Sequence, residues 1–284
     1  MCRLFGLSAS PERVQASFWL LEAPDALVRQ SKKHPDGTGI GYFESDGQVV
    51  IDKEPLAAYE DPAFTREAKH VHSSTFVSHI RHATTGKLCV ENTHPFTADG
   101  FIFAHNGVIH GLDELEAHLG SGMELVHGDT DSERYFALIV TEIRKHGGDV
   151  AAGVSTATGW IADNLPLYAI NFVLARGRDL WAFRYPETHR LFVLERPAGG
   201  HHGGRDLHHV SRELRVHVPE LADARCVVVA SEPLDDSDGW RLLESGELLH
   251  VGADLEVSSL IVVDHPPAQL VELHHKNGNE KKAR

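Results

Sequence analysis

The sequence has few cysteines and little positive charge, and these shortages exclude several classes of protein. Only three of its 284 residues are cysteine, and none forms a CxxC pair, so neither a disulfide framework nor a zinc ribbon is expected. Lysine and arginine number 27 against 41 acidic residues, and the net charge of −14 repels nucleic acid and anionic membranes. The sequence also lacks a signal-peptide pattern and an uncharged apolar run of about 18 residues. We therefore expect a cytoplasmic protein that binds neither nucleic acid nor membrane.

The order of the predicted elements favours an α+β fold. Thr130 followed by Glu133 is a capping-box pattern, so a helix is expected to start near Asp131, and a second helix is expected over about 149–163. The segments LYAINFVLARG, DLWAFRY and RLFVLER predict an antiparallel meander of strands. Because strands and helices come in separate runs, a layered α+β architecture is expected in place of alternating βαβ units.

No internal repeat or interdomain linker divides the chain, so we predict one domain over 2–263, followed by a polar tail over 264–284. The stretch RPAGGHHGGRDLHH is predicted as a long loop. Its histidines are candidates for a metal site: His201, His202, His208 and His209. Because the sequence has no HExxH motif and no cysteine near this loop, a solvated loop is the simpler interpretation. Neither a metal nor a cofactor is therefore expected.

A cysteine stands directly after the start methionine, and it has two interpretations. Cys2 could be a small buried hydrophobic residue at the head of the first predicted strand, as most free cysteines are. Alternatively, removal of Met1 would leave Cys2 with both a thiol and a free α-amine. An α-amine has a pKa of about 7.7–8.0, which suits it to accept and return the proton of the thiol. One residue would then supply both the nucleophile and its base.

Other polar residues at the ends of predicted strands suit chemistry on an amino acid. Asn106 and Gly107 follow a predicted strand at a tight turn, where a side-chain amide and a backbone N–H could stabilise an oxyanion. Arg81 offers a planar fork for a carboxylate, and Asp131 could accept hydrogen bonds from an ammonium group. Each also has a plain structural interpretation. Arg81 could form a surface ion pair, Asn106 and Gly107 could form an ordinary hairpin turn, and Asp131 could complement a helix dipole.

Taken as an ordered set, these stretches resemble the class II glutamine amidotransferases, a family with an N-terminal cysteine nucleophile. The stretches are MCRLFG, HPDGTGIGYF, HIRHATTG, ENTHPF, FAHNGVI and GDTDSE. Later segments, YAINFVLARG and VVASEPLDD, are similar to the stand-alone members, including the γ-glutamyl hydrolases of the ergothioneine pathway. The resemblance implies a four-layer α/β/β/α sandwich with two stacked, mainly antiparallel sheets.

The resemblance also implies a role for each matching residue. Cys2 would be the nucleophile and would form a glutamyl thioester, with Asn106 and Gly107 as the oxyanion hole. The residues implied to bind the substrate are Arg81, Thr84 and Asp131. Two positions depart from the common pattern of the family, since His82 follows the arginine and Thr85 precedes the glycine. Details of the substrate pocket are therefore not carried over.

The resemblance leaves the reaction partner open, because no segment resembles a synthase domain that would accept ammonia. One interpretation is a self-contained hydrolase that cleaves glutamine or another γ-glutamyl small molecule. A second is a glutaminase subunit that delivers ammonia to a synthase on a separate chain. A third is a non-catalytic module that senses glutamine. The segment Ser231-Glu232-Pro233 also has two interpretations, a turn at the end of a strand or a packing or pocket element.

Overall fold

Two mainly antiparallel sheets, each with seven strands among the residues that the structure describes, form the centre of the molecule. The computed structural model describes residues 2–83, 86–198, 210–211, 214–215 and 224–272. The strands are β1 (Arg3–Ser8), β2 (Gly37–Phe43), β3 (Val49–Glu54), β4 (Thr75–Arg81), β5 (Phe96–Ala98), β6 (Phe101–Ile109), β7 (Pro166–Arg176), β8 (Asp179–Arg184), β9 (Phe192–Arg196), β10 (Val210–Ser211), β11 (Leu214–Arg215), β12 (Cys226–Ala230), β13 (Arg241–Leu242), β14 (Glu247–Val251), β15 (Val257–Ile261) and β16 (Gln269–Leu270).

The first sheet has the order β13-β9-β12-β1-β4-β2-β3 and the second the order β15-β14-β8-β7-β6-β5. In the second sheet β16 adds a short parallel pairing with β7, and β10 pairs with β11 apart from both sheets. β1, which begins one residue after Cys2, is central in the first sheet, between β4 and β12. The start of the chain is thereby fixed by strand pairing on both sides.

Helices cover the outer faces of the two sheets. The helices are α1 (Leu27–Gln30), α2 (Pro62–His70), α3 (Leu112–Leu119), α4 (Asp131–Lys145) and α5 (Val150–Asn164), with a π-helical turn at Phe18–Glu22 and a 3₁₀ segment at Gly120–Leu125. The helices on the first sheet pack on a cluster that includes Phe5 and Trp19, whereas α4 and α5 pack on a cluster that includes Phe172. A third cluster, with Leu4 and Val173, fills the space between the sheets. The α+β class and the four-layer sandwich are therefore confirmed.

β1 shows how the sequence builds these layers. Successive side chains of a strand point to opposite faces, and here Leu4 faces the other sheet while Phe5 faces the outer helices. At Gly6 the sheets come close together, since a Cβ there would lie 2.9 Å from Cγ1 of Val173. A glycine is thus needed for the close approach of β1 to the second sheet.

The predictions for the two long helices are confirmed. α4 begins at Asp131, and the Thr130 hydroxyl caps it by accepting a hydrogen bond from the Glu133 N–H at 3.3 Å. The Glu133 carboxylate does not complete the reciprocal capping box, because it accepts from the Gly128 N–H at 2.6 Å instead. α5 spans 150–164, one residue later than expected, and the Asp149 side chain caps it.

Two predictions about strands were wrong. β6 does not end at a turn formed by Asn106 and Gly107 but continues to Ile109, because β7 pairs with it through this region. The predicted three-strand meander is also interrupted, since β9 does not pair with β8. The second edge of β8 is taken by β14, so the chain crosses after β8 and β9 joins the first sheet between β12 and β13.

The segment that follows Val263, the predicted end of the domain, lies against the second sheet. The Ala268 N–H donates to the Ala162 carbonyl, and the Val271 N–H donates to the Leu167 carbonyl. The boundary at 263 stays a prediction, and 273–284 lie outside the described residues. No helix in the described part of the chain is long and apolar enough to cross a membrane.

Candidate active site

Cys2 lies at the end of the central strand of the first sheet, next to the end of β4. Its Sγ accepts a hydrogen bond from the backbone N–H of His82 at 3.2 Å and lies 3.5 Å from the His82 carbonyl oxygen. Burial raises the pKa of this thiol, while the His82 N–H and the positive charge of Arg81 oppose that effect. The negative charge of Asp131 raises the thiol pKa further. A thiol in this environment needs a base before it can act as a nucleophile.

Asn106 binds the backbone of Cys2 from the facing sheet. It lies in β6, is 3% exposed, and donates a hydrogen bond from Nδ2 to the Cys2 carbonyl oxygen at 2.9 Å. Its Nδ2 also lies 3.5 Å from the Ser231 hydroxyl oxygen. The two sheets are thus joined by a side-chain amide at the position of the cysteine.

Gly107 follows Asn106 in β6, where a side chain has no room. A Cβ built there would lie 1.7 Å from the Ala169 carbonyl oxygen and 2.7 Å from Nε2 of His105. Ile170, which faces Gly107 in β7, donates its own N–H to the Tyr185 carbonyl on the other side of β7. By the alternation of antiparallel pairs, the Gly107 N–H points away from β7 and is not used by that ladder.

Replacing Gly107 by alanine is expected to destabilise the fold. The new methyl group would displace backbone at Ala169, and overpacking of this kind costs about 3 kcal/mol or more. The matched control is Gly159→Ala in α5, where a Cβ meets no atom within 4 Å and helix propensity favours alanine. Urea unfolding of both variants checks this, and equal stability of Gly107→Ala and wild type would contradict the packing argument.

Arg81 and Asp131 place opposite charges near the thiol. Arg81 is the last residue of β4, is 4% exposed, and donates from Nη1 to the Lys87 carbonyl at 3.1 Å. Asp131 is the first residue of α4, and its Oδ2 accepts the Ile109 N–H at 2.9 Å, just past the irregularity in β6. Arg81 lowers the pKa of the Cys2 thiol and Asp131 raises it. The pair has the signs required to bind a carboxylate and an ammonium group.

The structure therefore brings five of the predicted residues to one end of the two sheets. They are Cys2, Arg81, Asn106, Gly107 and Asp131. The sixth, Thr84, lies outside the described residues, as does Thr85. The histidine-rich stretch with His201, His202, His208 and His209 lies outside them too. Within the described ranges, no group of three or more His, Cys, Asp or Glu side chains is arranged to hold a metal ion.

Several residues around Cys2 were missed from the sequence. The Arg3 guanidinium donates to the Cys2 carbonyl at 3.2 Å and pairs with Glu232 at 2.7 Å. Burial lowers the pKa of His34 to about 3 and that of His189 to about 4, and the positive charge of Arg3 adds to both effects. Both imidazoles are thus neutral at pH 7. Arg3, His34 and Glu232 lie in the stretches MCRLFG, HPDGTGIGYF and VVASEPLDD, which resemble the family, although none of the three was singled out as a site residue. His189 lies in none of the matching stretches, so the sequence carried no signal for it.

Comparisons with known proteins agree on one family. The family model for class II glutamine amidotransferases matches residues 1–272. Escherichia coli YafJ is 29% identical over 261 residues, which cover 87% of this chain and 96% of YafJ. The γ-glutamyl-hercynylcysteine sulfoxide hydrolase of Mycobacterium tuberculosis is 29% identical over 262 residues, 88% of this chain and 93% of that protein. A solved structure from Pseudomonas aeruginosa, titled a predicted glutamine amidotransferase, has a TM-score of 0.59 at 25% identity, covering 88% of this chain and 96% of its own. The chain belongs to the class II glutamine amidotransferases.

Proposed function

We propose that this protein hydrolyses the γ-amide of glutamine or of a larger γ-glutamyl compound, with Cys2 as the nucleophile after removal of Met1. The observation that carries the proposal is the position of Cys2. Asn106 donates a hydrogen bond to the Cys2 carbonyl, and the buried charges of Arg81 and Asp131 shift the pKa of the Cys2 thiol. A γ-glutamyl group has one carboxylate and one ammonium beyond the scissile amide, so the two charges match its ends.

In the proposed mechanism, Cys2 supplies both the nucleophile and the base. Its α-amine takes the thiol proton while Sγ attacks the γ-carbonyl carbon, and the carbonyl oxygen becomes an oxyanion. The Asn106 Nδ2 and the Gly107 N–H stabilise this oxyanion. The α-ammonium then gives its proton to the leaving amine, and the C–N bond breaks to leave a glutamyl thioester. Water, deprotonated by the same amine, attacks the thioester and releases glutamate and the free thiol.

One of the relatives supports an amide larger than glutamine. The Mycobacterium tuberculosis relative is named a γ-glutamyl-hercynylcysteine sulfoxide hydrolase, and this chain spans 93% of it. A hydrolase of that kind needs no synthase chain, because water is the acceptor of the glutamyl group. Delivery of ammonia to a separate synthase is the alternative, and it would require glutamine itself to be the preferred amide.

Arg81→Ala is expected to weaken the binding of substrates that carry a free α-carboxylate. Loss of charge-assisted hydrogen bonds worth about 1.5–3 kcal/mol corresponds to an increase in KM of about 10- to 150-fold. Steady-state kinetics with a γ-glutamyl anilide and its α-carboxamide derivative measures this effect. The variant should lose its preference for the carboxylate substrate, whereas an equal loss on both substrates would contradict the assigned role.

Intact mass spectrometry tests the proposal as a whole. The purified protein is weighed before and after exposure to a diazoketone analogue of glutamine, and the adduct is located by peptide sequencing. We expect a mass that lacks Met1 and one adduct on Cys2, formed more slowly in excess glutamine. A panel of γ-glutamyl amides then ranks the substrates, with glutamine included.

Retained Met1 together with an unlabelled Cys2 would overturn the proposal and favour a sensing module. Labelling of Cys2 with turnover of glutamine alone would favour the ammonia-delivering alternative. Labelling of Cys2 with faster turnover of larger γ-glutamyl amides would support the self-contained hydrolase.

A further inference from the structure

Ser231 contacts both the backbone of β1 and the side-chain amide of Asn106. It follows directly after β12, is 4% exposed, and its hydroxyl oxygen accepts the Leu4 N–H at 2.9 Å. The Ser231 N–H in turn donates to the Leu4 carbonyl at 3.2 Å. Regular pairing of β1 with β12 ends at Phe5 and Ala230, so the Ser231 hydroxyl takes the place of the missing ladder acceptor.

The same hydroxyl faces the carboxamide of Asn106. Its oxygen lies 3.5 Å from Nδ2 of Asn106, the atom that donates to the Cys2 carbonyl. An acceptor at this place favours the carboxamide orientation in which the nitrogen points towards Cys2. In the opposite orientation, Oδ1 would face the Cys2 carbonyl oxygen, and two acceptors would repel each other.

Glu232 is linked to Cys2 by hydrogen bonds through the Arg3 guanidinium. The Glu232 carboxylate accepts from Nη2 of Arg3 at 2.7 Å, and Nη1 of the same guanidinium donates to the Cys2 carbonyl at 3.2 Å. Arg3 is 14% exposed, whereas Glu232 is 47% exposed. The Cys2 carbonyl thus accepts from two donors, Asn106 and Arg3. Asn106 contacts Ser231, and Arg3 contacts Glu232.

We infer that Ser231 and Glu232 are positioning residues for the N-terminal nucleophile. This inference rests on the proposed function, since it assigns them to a reaction at Cys2. Strand pairing of β1 begins at Arg3, so Cys2, the first residue after removal of Met1, lies outside the ladder, and chain ends tend to fray. Because a displacement of about 1 Å can cost about 100-fold in rate, contacts that fix the Cys2 carbonyl and the Asn106 amide would act mainly on kcat.

The test compares four variants with a γ-glutamyl amide that wild type turns over. Ser231→Ala should lower kcat by about 10- to 100-fold and Glu232→Gln by about 3- to 10-fold, with KM changed less than about threefold. Ser231→Thr, which keeps the hydroxyl, should recover most of the lost kcat. Ser78→Ala is the matched control, because Ser78 is buried in β4 and its hydroxyl donates to the Gly39 carbonyl at 2.8 Å. It should lose stability but keep kcat.

The outcomes separate this inference from the proposed function. Full kcat in Ser231→Ala and Glu232→Gln, with an active wild type, would overturn the inference alone. A loss of kcat in Ser231→Ala that Ser78→Ala reproduces at equal stability would overturn it as well, since the effect would then be structural. A wild type inert towards glutamine and all γ-glutamyl amides would overturn the proposed function, and the inference with it.

Discussion

Cys2→Ala is expected to reduce the hydrolysis of γ-glutamyl amides by roughly 10⁴-fold or more, while the fold is kept. Alanine has no atom that could form the thioester, and Cys226 lies at the opposite end of β12 from Ala230, the residue that pairs with Phe5 of β1. Cys226 is fully buried in β12, and burial raises its thiol pKa to about 11. Steady-state kinetics at saturating substrate, with protein freed of contaminating amidases, measures the residual rate.

Cys89→Ala is the matched control for this experiment. Cys89 is partly exposed and lies outside the contacts that hold Cys2, so its removal should leave kcat unchanged. Cys2→Ser keeps a weaker nucleophile and should fall between wild type and Cys2→Ala. Full activity in Cys2→Ala would show that another residue attacks the amide, and the proposed mechanism would be wrong.

The sequence predicted the elements whose determinants are local. Thr130 is followed three residues later by Glu133, and α4 starts where this pattern places it. α5 begins one residue from its expected start, where the Asp149 side chain caps it. Such features depend on a few neighbouring residues, so they are readable without knowledge of the rest of the chain.

The predictions that failed depended on distant parts of the chain. An Asn-Gly pair favours a turn, yet Asn106 and Gly107 lie within β6 because β7, more than 60 residues later, pairs with them. β9 leaves the predicted meander because β14 occupies the edge of β8. In both cases tertiary pairing overrides the local preference.

Only part of the candidate site was predicted, because its geometry also depends on distant parts of the chain. Its residues matched short family stretches, but the contacts between them are long-range. The bond between the Asp131 carboxylate and the Ile109 N–H joins a helix start to an irregular strand, and no local pattern contains it. Ser231 contacts Leu4 from 227 positions away. Contacts of this kind appear only once the sheets are assembled.

Asn106→Ala is expected to lower kcat by about 10²- to 10³-fold, the usual effect of removing one donor from an oxyanion hole. The carboxamide has two N–H groups on Nδ2. One donates to the Cys2 carbonyl at 2.9 Å. The second faces the Ser231 hydroxyl oxygen at 3.5 Å, the weak limit of a hydrogen bond, and we assign it to the oxyanion when substrate is bound. The substitution also removes the support of the Cys2 carbonyl, which adds to the loss. Pre-steady-state kinetics should show slower formation of the thioester with little change in substrate binding.

Asn106→Asp separates the donor from the shape of the side chain. Aspartate has nearly the same volume, but an ionised carboxylate only accepts hydrogen bonds and would repel both the Cys2 carbonyl oxygen and the oxyanion. If Asn106 acts as a donor, Asn106→Asp should therefore be at least as slow as Asn106→Ala, although it fills the site better. If Asn106 only packs between the sheets, Asn106→Asp should be the faster of the two. The ranking of the two rates thus decides whether the amide contributes hydrogen bonds to the transition state or only volume to the fold.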